Sequence, residues 1–344
     1  KHFAGRRDVN VNIQNENGLT PWMLPFDKDA NPNISEEEKQ VIANMEKLFL
    51  ARDDLNLNCQ DKLGLSCLML AGFRGQYDVI KNFLEKGADI NLRDVEGNNI
   101  LMQASNIGLD MLADVVVSRE ELDINATNKY KETALINALY KPFDEKKANI
   151  VKKILARKDV NVNICDQNGN VPLIMAYLND DKDILSMILE KENVDVNIRD
   201  QNGNSLLVMA YQNNDKETFS TLMSREDIDL NVGGKDNKTL LMLAIERGDA
   251  KLVYTILGRP GIDINAFDDN NENVVMKAIK SLEKNGDVGY AILKVLLAHP
   301  DLDINAFAEN GKVNALTTAI SLKNDKVIDM ILKRDDVDID KPFN

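Results

Sequence analysis

The chain has 344 residues, of which 44% are apolar and 5% aromatic, and its formal net charge is −14. This excess of acid argues against nucleic acids and anionic membranes as partners, because both are bound by clustered Lys and Arg. The apolar runs are too short to span a membrane, and three cysteines are too few for a disulfide framework, which favours a reducing, cytoplasmic setting.

A three-residue motif returns along the whole chain: an acidic residue or Asn, then Val, Ile or Leu, then Asn. Six of the nine intervals between neighbouring motifs are 33–35 residues long, and four of them are 34, as from Asn91 to Asn125. A fixed period of this size indicates an array of structural repeats. The third residues of the motifs, in chain order, are Asn12, Asn58, Asn91, Asn125, Asn163, Asn197, Asn231, Asn265, Asn305 and Asp340.

Each period contains the same predicted elements in the same order. A turn with Gly comes first, as at 61–64, and a Ser or Thr two residues later, such as Ser66, is placed to cap a helix. A first apolar run reaches an alanine such as Ala71, and a second run with helical spacing follows, as at Ile80 and Leu84. We therefore predict a hairpin turn and two antiparallel helices per repeat, with neighbouring repeats stacked to bury their apolar faces.

These patterns resemble the ankyrin repeat family, most closely from Asp94 to Asn125 and from Phe83 to Asn91. The resemblance implies an all-α repeat solenoid with hairpin fingers, a concave row of inner helices and a role in protein recognition. It covers residues 1–344 as a single ankyrin-repeat domain of about nine repeats. Their approximate bounds are 13–58, 59–91, 92–125, 126–163, 164–197, 198–231, 232–265, 266–305 and 306–340.

The chain departs from the family pattern at the His of the Thr-Pro-Leu-His motif. Most repeats have an apolar residue there, including Met23, Met69 and Met102, which predicts packing between helices. Three repeats have insertions between their two helices, near Pro25–Val41, Lys141–Asn149 and Ser281–Gly289. Residues 3–8 resemble the end of a second helix, and 338–344 begin a further hairpin, so we expect a segment of a longer protein.

No catalytic motif is recognisable in the sequence. The two histidines, His2 and His299, lie far apart in the chain, and there is no phosphate-binding Gly loop or nucleophile elbow. The abundant carboxylates follow the repeat and so have a structural explanation. We predict a chain that is not an enzyme and that needs no cofactor or metal.

One alternative metal site lies in the first insertion. Asp27, Asp29, Asn31 and Glu38 have the spacing of a calcium-binding loop. Pro32 stands where such a loop needs glycine and a positive φ, which proline does not adopt. A polar loop followed by a helix with an acidic first turn explains the same residues, and this is the interpretation we favour.

One hairpin asparagine has the spacing of a modification site. Asn91, with Leu84 seven residues upstream, resembles the targets of an asparaginyl hydroxylase that acts on ankyrin repeats. Other repeats have an extra residue in this interval, so Asn91 is the single candidate. Structural hydrogen bonding is the favoured interpretation of this side chain.

The resemblance also indicates where a partner binds, because variable residues in the family flank the turn glycine and follow the His position. Leu63, Leu65 and Tyr130 are the candidate anchors, since turn tips are usually polar and hot spots favour aromatic residues. We predict a non-catalytic, monomeric scaffold for a partner protein; the alternative is a targeting module of a longer enzyme, channel or pathogen effector acting in the host cytosol. The candidate residues are Lys62, Leu63, Leu65, Val95, Glu96, Asn98, Gln103, Lys129, Tyr130, Asn137, Gln167, Asn168, Asn170, Gln201, Asn202 and Asn204.

Overall fold

The computed structural model describes residues 6, 8–26, 36–308 and 313–339. They form paired α-helices joined by short turns, in two compact units, Lys1–Val194 and Asp195–Asn344. The all-α repeat architecture predicted from the sequence is confirmed. Within the described residues the hairpins contain isolated antiparallel bridges rather than strands, as between Gln60 and Ser66. That the repeats act as a single domain stays a prediction.

The first unit consists of helix pairs, preceded by a short 3-10 helix at Leu24–Phe26 and a longer single helix. Within a pair the two helices pack against each other, and first helices of neighbouring pairs also pack together. The helices are α1 (Glu36–Leu50), α2 (Cys67–Phe73), α3 (Tyr77–Glu85), α4 (Ile100–Ile107), α5 (Asp110–Val117), α6 (Ala134–Leu139), α7 (Glu145–Ala156), α8 (Pro172–Leu178) and α9 (Lys182–Leu189).

The second unit repeats this arrangement, with a 3-10 turn at Lys235–Asn237. The predicted insertion near Ser281–Gly289 is largely helical and lengthens one second helix, which is interrupted at Gly286 (φ 52°, ψ −133°). The helices are α10 (Leu206–Gln212), α11 (Lys216–Met223), α12 (Leu240–Arg247), α13 (Ala250–Leu257), α14 (Val274–Lys280), α15 (Leu282–Leu297), α16 (Ala315–Ser321) and α17 (Asp325–Leu332).

The first helices begin where the sequence predicts a cap. The Oγ of Ser66 accepts a hydrogen bond from the Met69 backbone N–H at 3.4 Å, and Thr133 Oγ1 accepts from Ile136 at 3.2 Å. Asn99 does the same for α4 at 2.9 Å. These bonds satisfy backbone donors that the first helical turn leaves without a partner.

The residues at the family's His position belong to the core, as predicted. Met23, Met69 and Met102 are all at most 1% exposed. Each lies between helices, where a flexible thioether fills irregular space. The helix–helix interface in these repeats is therefore held by apolar packing at a position where the family pattern has a polar side chain.

The motif asparagines link each repeat to the next. The Nδ2 of Asn91 donates to the Glu121 carbonyl at 2.7 Å, and its Oδ1 accepts from the Asp123 N–H at 2.8 Å. In the second unit Asn231 makes the same two bonds, at 2.8 Å each, to the next repeat. Both polar atoms of the amide are used, which explains why this residue recurs with the period.

A second recurring feature, not predicted from the sequence, is an Arg-x-Asp ion pair at the end of the second helix. Arg157 pairs with Asp159 and also donates to carbonyls of the preceding repeat, including Arg119 O at 2.7 Å. The side-chain hydrogen bond to Arg157 lowers the pKa of Asp159. Arg334 forms the same pair with Asp336 in the second unit. The signal was in the sequence, because the Arg-x-Asp spacing itself repeats.

Candidate partner-binding face

Four consecutive turn tips of the first unit are joined by backbone hydrogen bonds. The N–H of Val95 donates to the Leu63 carbonyl at 2.9 Å. Lys129 donates in the same way to Glu96 at 3.0 Å, and Gln167 to Tyr130 at 3.0 Å. We call this row, residues 61–64, 94–97, 128–131 and 166–169, the turn ridge. Because each tip is bonded to the next, their side chains stand in a fixed order.

Each tip is closed by its first residue. Asp61 Oδ1 accepts from the N–H groups of Leu63 at 2.9 Å and Leu65 at 2.7 Å. Gly64 then adopts φ +74°, and a Cβ there would lie 2.8 Å from the Val95 nitrogen. The close approach of successive tips therefore requires glycine at this position.

The ridge presents large side chains to solvent. Leu63 is 43% exposed, Val95 46% and Tyr130 42%, and Lys62 and Lys129 are exposed beside them. Three successive tips of the ridge therefore each carry a large exposed side chain that is apolar or aromatic. The predicted residues Gln167 and Asn168 continue it as exposed polar side chains.

Tyr130 has a defined partner within the ridge. Its Oη donates to Glu96 Oε2 at 2.8 Å, and this hydrogen bond raises the pKa of Tyr130. Lys131 occupies the glycine position of the turn and adopts φ 60°. The turn is thus closed as in the other tips, and the ring of Tyr130 is held in the row.

Three predicted binding residues are buried, so their assignment as partner contacts is wrong. Leu65 is 7% exposed, Asn98 7% and Asn137 0%. Leu65 turns inward beneath the finger, and Asn98 is used within the protein, accepting from Asn128 Nδ2 at 2.9 Å. Asn137 lies in α6 with neither side-chain polar atom hydrogen-bonded.

Two further predicted residues are half-buried and committed to the turns. Gln103 Nε2 donates to Asp94 Oδ2, and Asn170 Nδ2 donates to Asp166 Oδ2 at 2.7 Å. In each turn the Oδ1 of the aspartate closes the turn, and these bonds go to its other oxygen, Oδ2. The two side chains therefore support the fingers and present only part of their surface.

Gln201, Asn202 and Asn204 belong to the second unit. Gln201 and Asn202 are exposed at a turn tip, while Asn204 donates to Asp200 Oδ2 at 3.1 Å. They form a polar turn of their own, without an exposed apolar neighbour in that tip. The candidate face is consequently built from first-unit residues.

The second unit contains a buried ion cluster that our sequence analysis does not identify. Lys277, whose side chain is 2% exposed, lies 2.6 Å from Asp268, 3.0 Å from Glu272 and 3.1 Å from Glu246. Burial opposes its charge, but the hydrogen bonds to these carboxylates outweigh burial and raise the pKa of Lys277. A lysine inside the apolar run Val274–Ile279 was the available signal.

The predicted calcium loop falls almost entirely outside the described residues. Asp27, Asp29 and Asn31 are among those not described, and Glu38 lies in α1 with its side chain not described. Elsewhere in the described part of the chain, no three His, Cys, Asp or Glu side chains are arranged so that they could hold a metal ion. The hydroxylation of Asn91 stays a prediction, for a side chain already bonded through both amide atoms.

Two open grooves lie along the second helices of helix pairs in the first unit, and none of the predicted binding residues lines them. One, of about 680 Å³, is lined by α5 and α7, including Asp114 and Lys153, which form an ion pair at 2.7 Å. The other, of about 580 Å³, lies between α3 and α5 and includes Met111. Both grooves have charges of both signs, so neither shows a preference for one class of ligand.

Paired helices, asparagine links between repeats and bonded turn tips define a helical repeat protein. The family model for ankyrin repeats matches residues 101–200, 192–268 and 241–342, and the model for a single ankyrin repeat matches 63–95. The chain belongs to the ankyrin repeat family. Ankyrin repeats generally serve as protein-interaction modules. No helix in the described residues has the length and apolar character needed to cross a membrane.

Similar proteins include YahD of Escherichia coli K12, named for its ankyrin repeats, which is 28% identical over 38% of this chain and 62% of its own. Neurogenic locus notch homolog protein 1 of Xenopus laevis and of Xenopus tropicalis are each 28% identical over 38% of this chain. The matched stretch is only 5% of each notch protein. The crystal structure of EF0377, an ankyrin repeat protein, has a TM-score of 0.46 and 22% identity, covering 55% of this chain and 94% of its own.

Proposed function

We propose that this chain is a non-catalytic scaffold that binds a partner protein through the turn ridge of its first unit. One observation supports this most directly. Leu63, Val95 and Tyr130 are each more than 40% exposed on three tips that are hydrogen-bonded in sequence. Their exposure serves no packing purpose within the first unit, whose core lies under the fingers.

The chemistry of the ridge suits a folded protein or peptide surface. Apolar anchors supply desolvation energy at an interface, and Tyr is enriched among hot spots. The order imposed by the tip-to-tip bonds reduces the ordering cost of binding. Lys62 and Lys129 flank the apolar residues and add charge selectivity at the rim.

The test is capture of partners by the chain and by a ridge variant, Leu63→Ala/Val95→Ala/Tyr130→Ala. A matched control changes three other exposed apolar residues of the same unit, Ile107→Ala/Met111→Ala/Leu178→Ala, which are 59%, 54% and 54% exposed. We expect the ridge variant to lose a captured protein that the control retains, with both variants equally helical by circular dichroism. Retention by the ridge variant and loss by the control would place the interface on the helices instead.

We further propose a monomer acting in the cytoplasm, with no role in binding nucleic acids or membranes, in keeping with the net charge of −14. A second candidate function is targeting, in which the repeats deliver a longer enzyme, channel or effector to its partner. The similarity to a notch protein supports this second candidate. In that protein the matching stretch is only 5% of a long chain. Fusion of the chain to an inert reporter tests this: ridge-dependent co-localisation supports targeting, and a diffuse reporter contradicts it.

A further inference from the structure

Two of the three cysteines face each other across the base of one finger. Gln60 and Ser66 form an isolated antiparallel bridge, and the Asp61 N–H donates to the Leu65 carbonyl at 3.0 Å inside it. Cys59 precedes Gln60 and Cys67 follows Ser66, so these two cysteines are the next directly opposed pair, on the side away from the turn tip. Ser66 is extended (φ −79°, ψ 165°), so the antiparallel geometry continues up to the first residue of α2.

Opposed residues in an antiparallel pair have Cα atoms about 4.5–5.5 Å apart. Their side chains also point to the same face, since both directions alternate together along the two segments. A disulfide requires a Cα separation of about 4.4–6.8 Å and converging Cβ atoms. The Cα separation expected for Cys59 and Cys67 therefore lies within the range that a disulfide requires.

The two thiols differ in burial, and this difference determines which of them reacts first with a reagent in solution. Cys59 is half-buried, whereas Cys67 is fully buried and donates its S–H to the Leu57 carbonyl at 3.0 Å. Burial raises the pKa of both thiols, and the nearby Cys59 adds to the effect on Cys67. A reagent in solution reaches Cys59 first, because Cys67 is fully buried.

We propose that Cys59 and Cys67 form a reversible disulfide that responds to a disulfide oxidant such as oxidised glutathione. The Cys59 thiolate attacks one glutathione sulfur and releases glutathione thiolate, leaving a mixed disulfide on Cys59. Cys67 then gives up its S–H proton as its sulfur attacks the Cys59 sulfur, which releases the second glutathione thiolate. Two protein thiols are oxidised, one glutathione disulfide is reduced, and both thiol protons pass to the released glutathione.

The bond would close the base of the finger that bears Lys62 and Leu63. It would thus act on the first unit at a member of the turn ridge, whether or not that ridge is the binding site. Disulfides in reducing compartments are typically transient and redox-sensing, and such a role is compatible with a chain that has no structural disulfide framework.

The test is peptide mapping of the full chain after incubation with oxidised glutathione at mildly alkaline pH, followed by alkylation in denaturant. Trypsin cleaves after Lys62, so the bond would join two separate peptides, residues 53–62 and 63–74. We expect this linked pair, released by dithiothreitol and formed equally at low and high protein concentration. Cys165, which is exposed and has Val171 rather than a cysteine in the opposed position, should take only glutathione.

Two variants make the result decisive. Cys165→Ser should keep the linked peptides, and Cys59→Ser should lose them and leave Cys67 as a free thiol, with unchanged circular dichroism in both. A stable glutathione adduct on Cys59 with Cys67 unoxidised would overturn the proposal. So would a product in which every disulfide joins two chains through Cys165.

Discussion

Removing the buried cation at Lys277 should both weaken the second unit and reverse its response to acid. In Lys277→Met, three carboxylates lose their shared counterion, and the side chain of Asp268 is 0% exposed. Breaking a buried ion pair by deleting one partner costs about 3–5 kcal/mol. Methionine itself fits the position, because Met175 and Met209 stand at the same place in other repeats. The loss can therefore be assigned to charge rather than to packing.

The pH dependence follows from the direction of each pKa shift. Burial acts to raise the pKa of Asp268 and Glu272, but hydrogen bonds lower both overall. Asp268 accepts from Lys277, and Glu272 accepts from Lys280 and Lys277. Their contribution in the native chain is present above the unfolded pKa values and is lost as the pH falls through the folded ones. Without Lys277 the largest opposing hydrogen bond is lost, while those from the backbone N–H groups of Asn270 and Glu272 remain, and we expect burial to raise the pKa of Asp268. The variant should then gain stability as the pH falls from that raised pKa towards the unfolded value, whereas the native chain loses stability only at lower pH, as the pH falls from the unfolded values through the lowered folded ones.

The assay is hydrogen exchange of the α14 amides at neutral and weakly acidic pH, which reports the local opening free energy without assuming two-state unfolding of the whole chain. Lys280→Met is the matched control, because that side chain is 51% exposed and pairs with Glu272 alone. We expect the control to lose less than about 1 kcal/mol. A Lys277→Met variant that loses as little as the control, or whose stability falls in parallel with the native chain on acidification, would refute the reasoning.

Three further substitutions test local features of the first unit. Asn137→Leu should stabilise the chain by about 1–2 kcal/mol in urea denaturation, because it removes two unpaired buried polar atoms. Lys131→Gly should raise the free energy of unfolding by about 1 kcal/mol and with it the thermal midpoint, since a residue with a Cβ is disfavoured at φ 60°; an unchanged midpoint would contradict this. Gly64→Ala should destabilise by at least about 1–2 kcal/mol, because its Cβ would lie 2.8 Å from Val95 N, whereas tolerance of alanine would show that the tips can separate.

The period of the sequence predicts the backbone well and the side-chain environments less well. The spacing from Asn91 to Asn125 reflects a hydrogen bond between repeats, so the motif and the structure have one cause. The buried methionines and the Ser66 cap were likewise predictable, because local pattern determines them. The prediction that Leu65 contacts a partner was wrong for a different reason. Its direction depends on the Asp61 bond that closes the turn, and the repeat pattern does not specify which turn residues point inward.

The position nine residues after the first turn residue shows where sequence reasoning ends. Leu70 packs there in the core, Gln103 bonds to the turn aspartate, and Lys277 forms the ion cluster. The backbone site is the same in each repeat, so the pattern alone cannot distinguish these environments. These environments depend on the second side-chain oxygen of the turn residue, the one that does not close the turn, and on which neighbouring side chain hydrogen-bonds to it.

At that same position Asn137 has no hydrogen-bond partner, and its repeat is also the one in which Lys131 replaces glycine at φ 60°. Two unfavourable features therefore coincide in the repeat that carries Tyr130, the exposed aromatic residue of the ridge. Local departures from folding rules are expected at functional sites, where stability is not the only constraint. If Tyr130 is the partner anchor, stabilising its finger through Asn137→Leu should leave the ring exposed and preserve capture. Loss of capture in that folded variant would mean that the binding surface depends on the mobility of this finger rather than on its fixed order in the ridge.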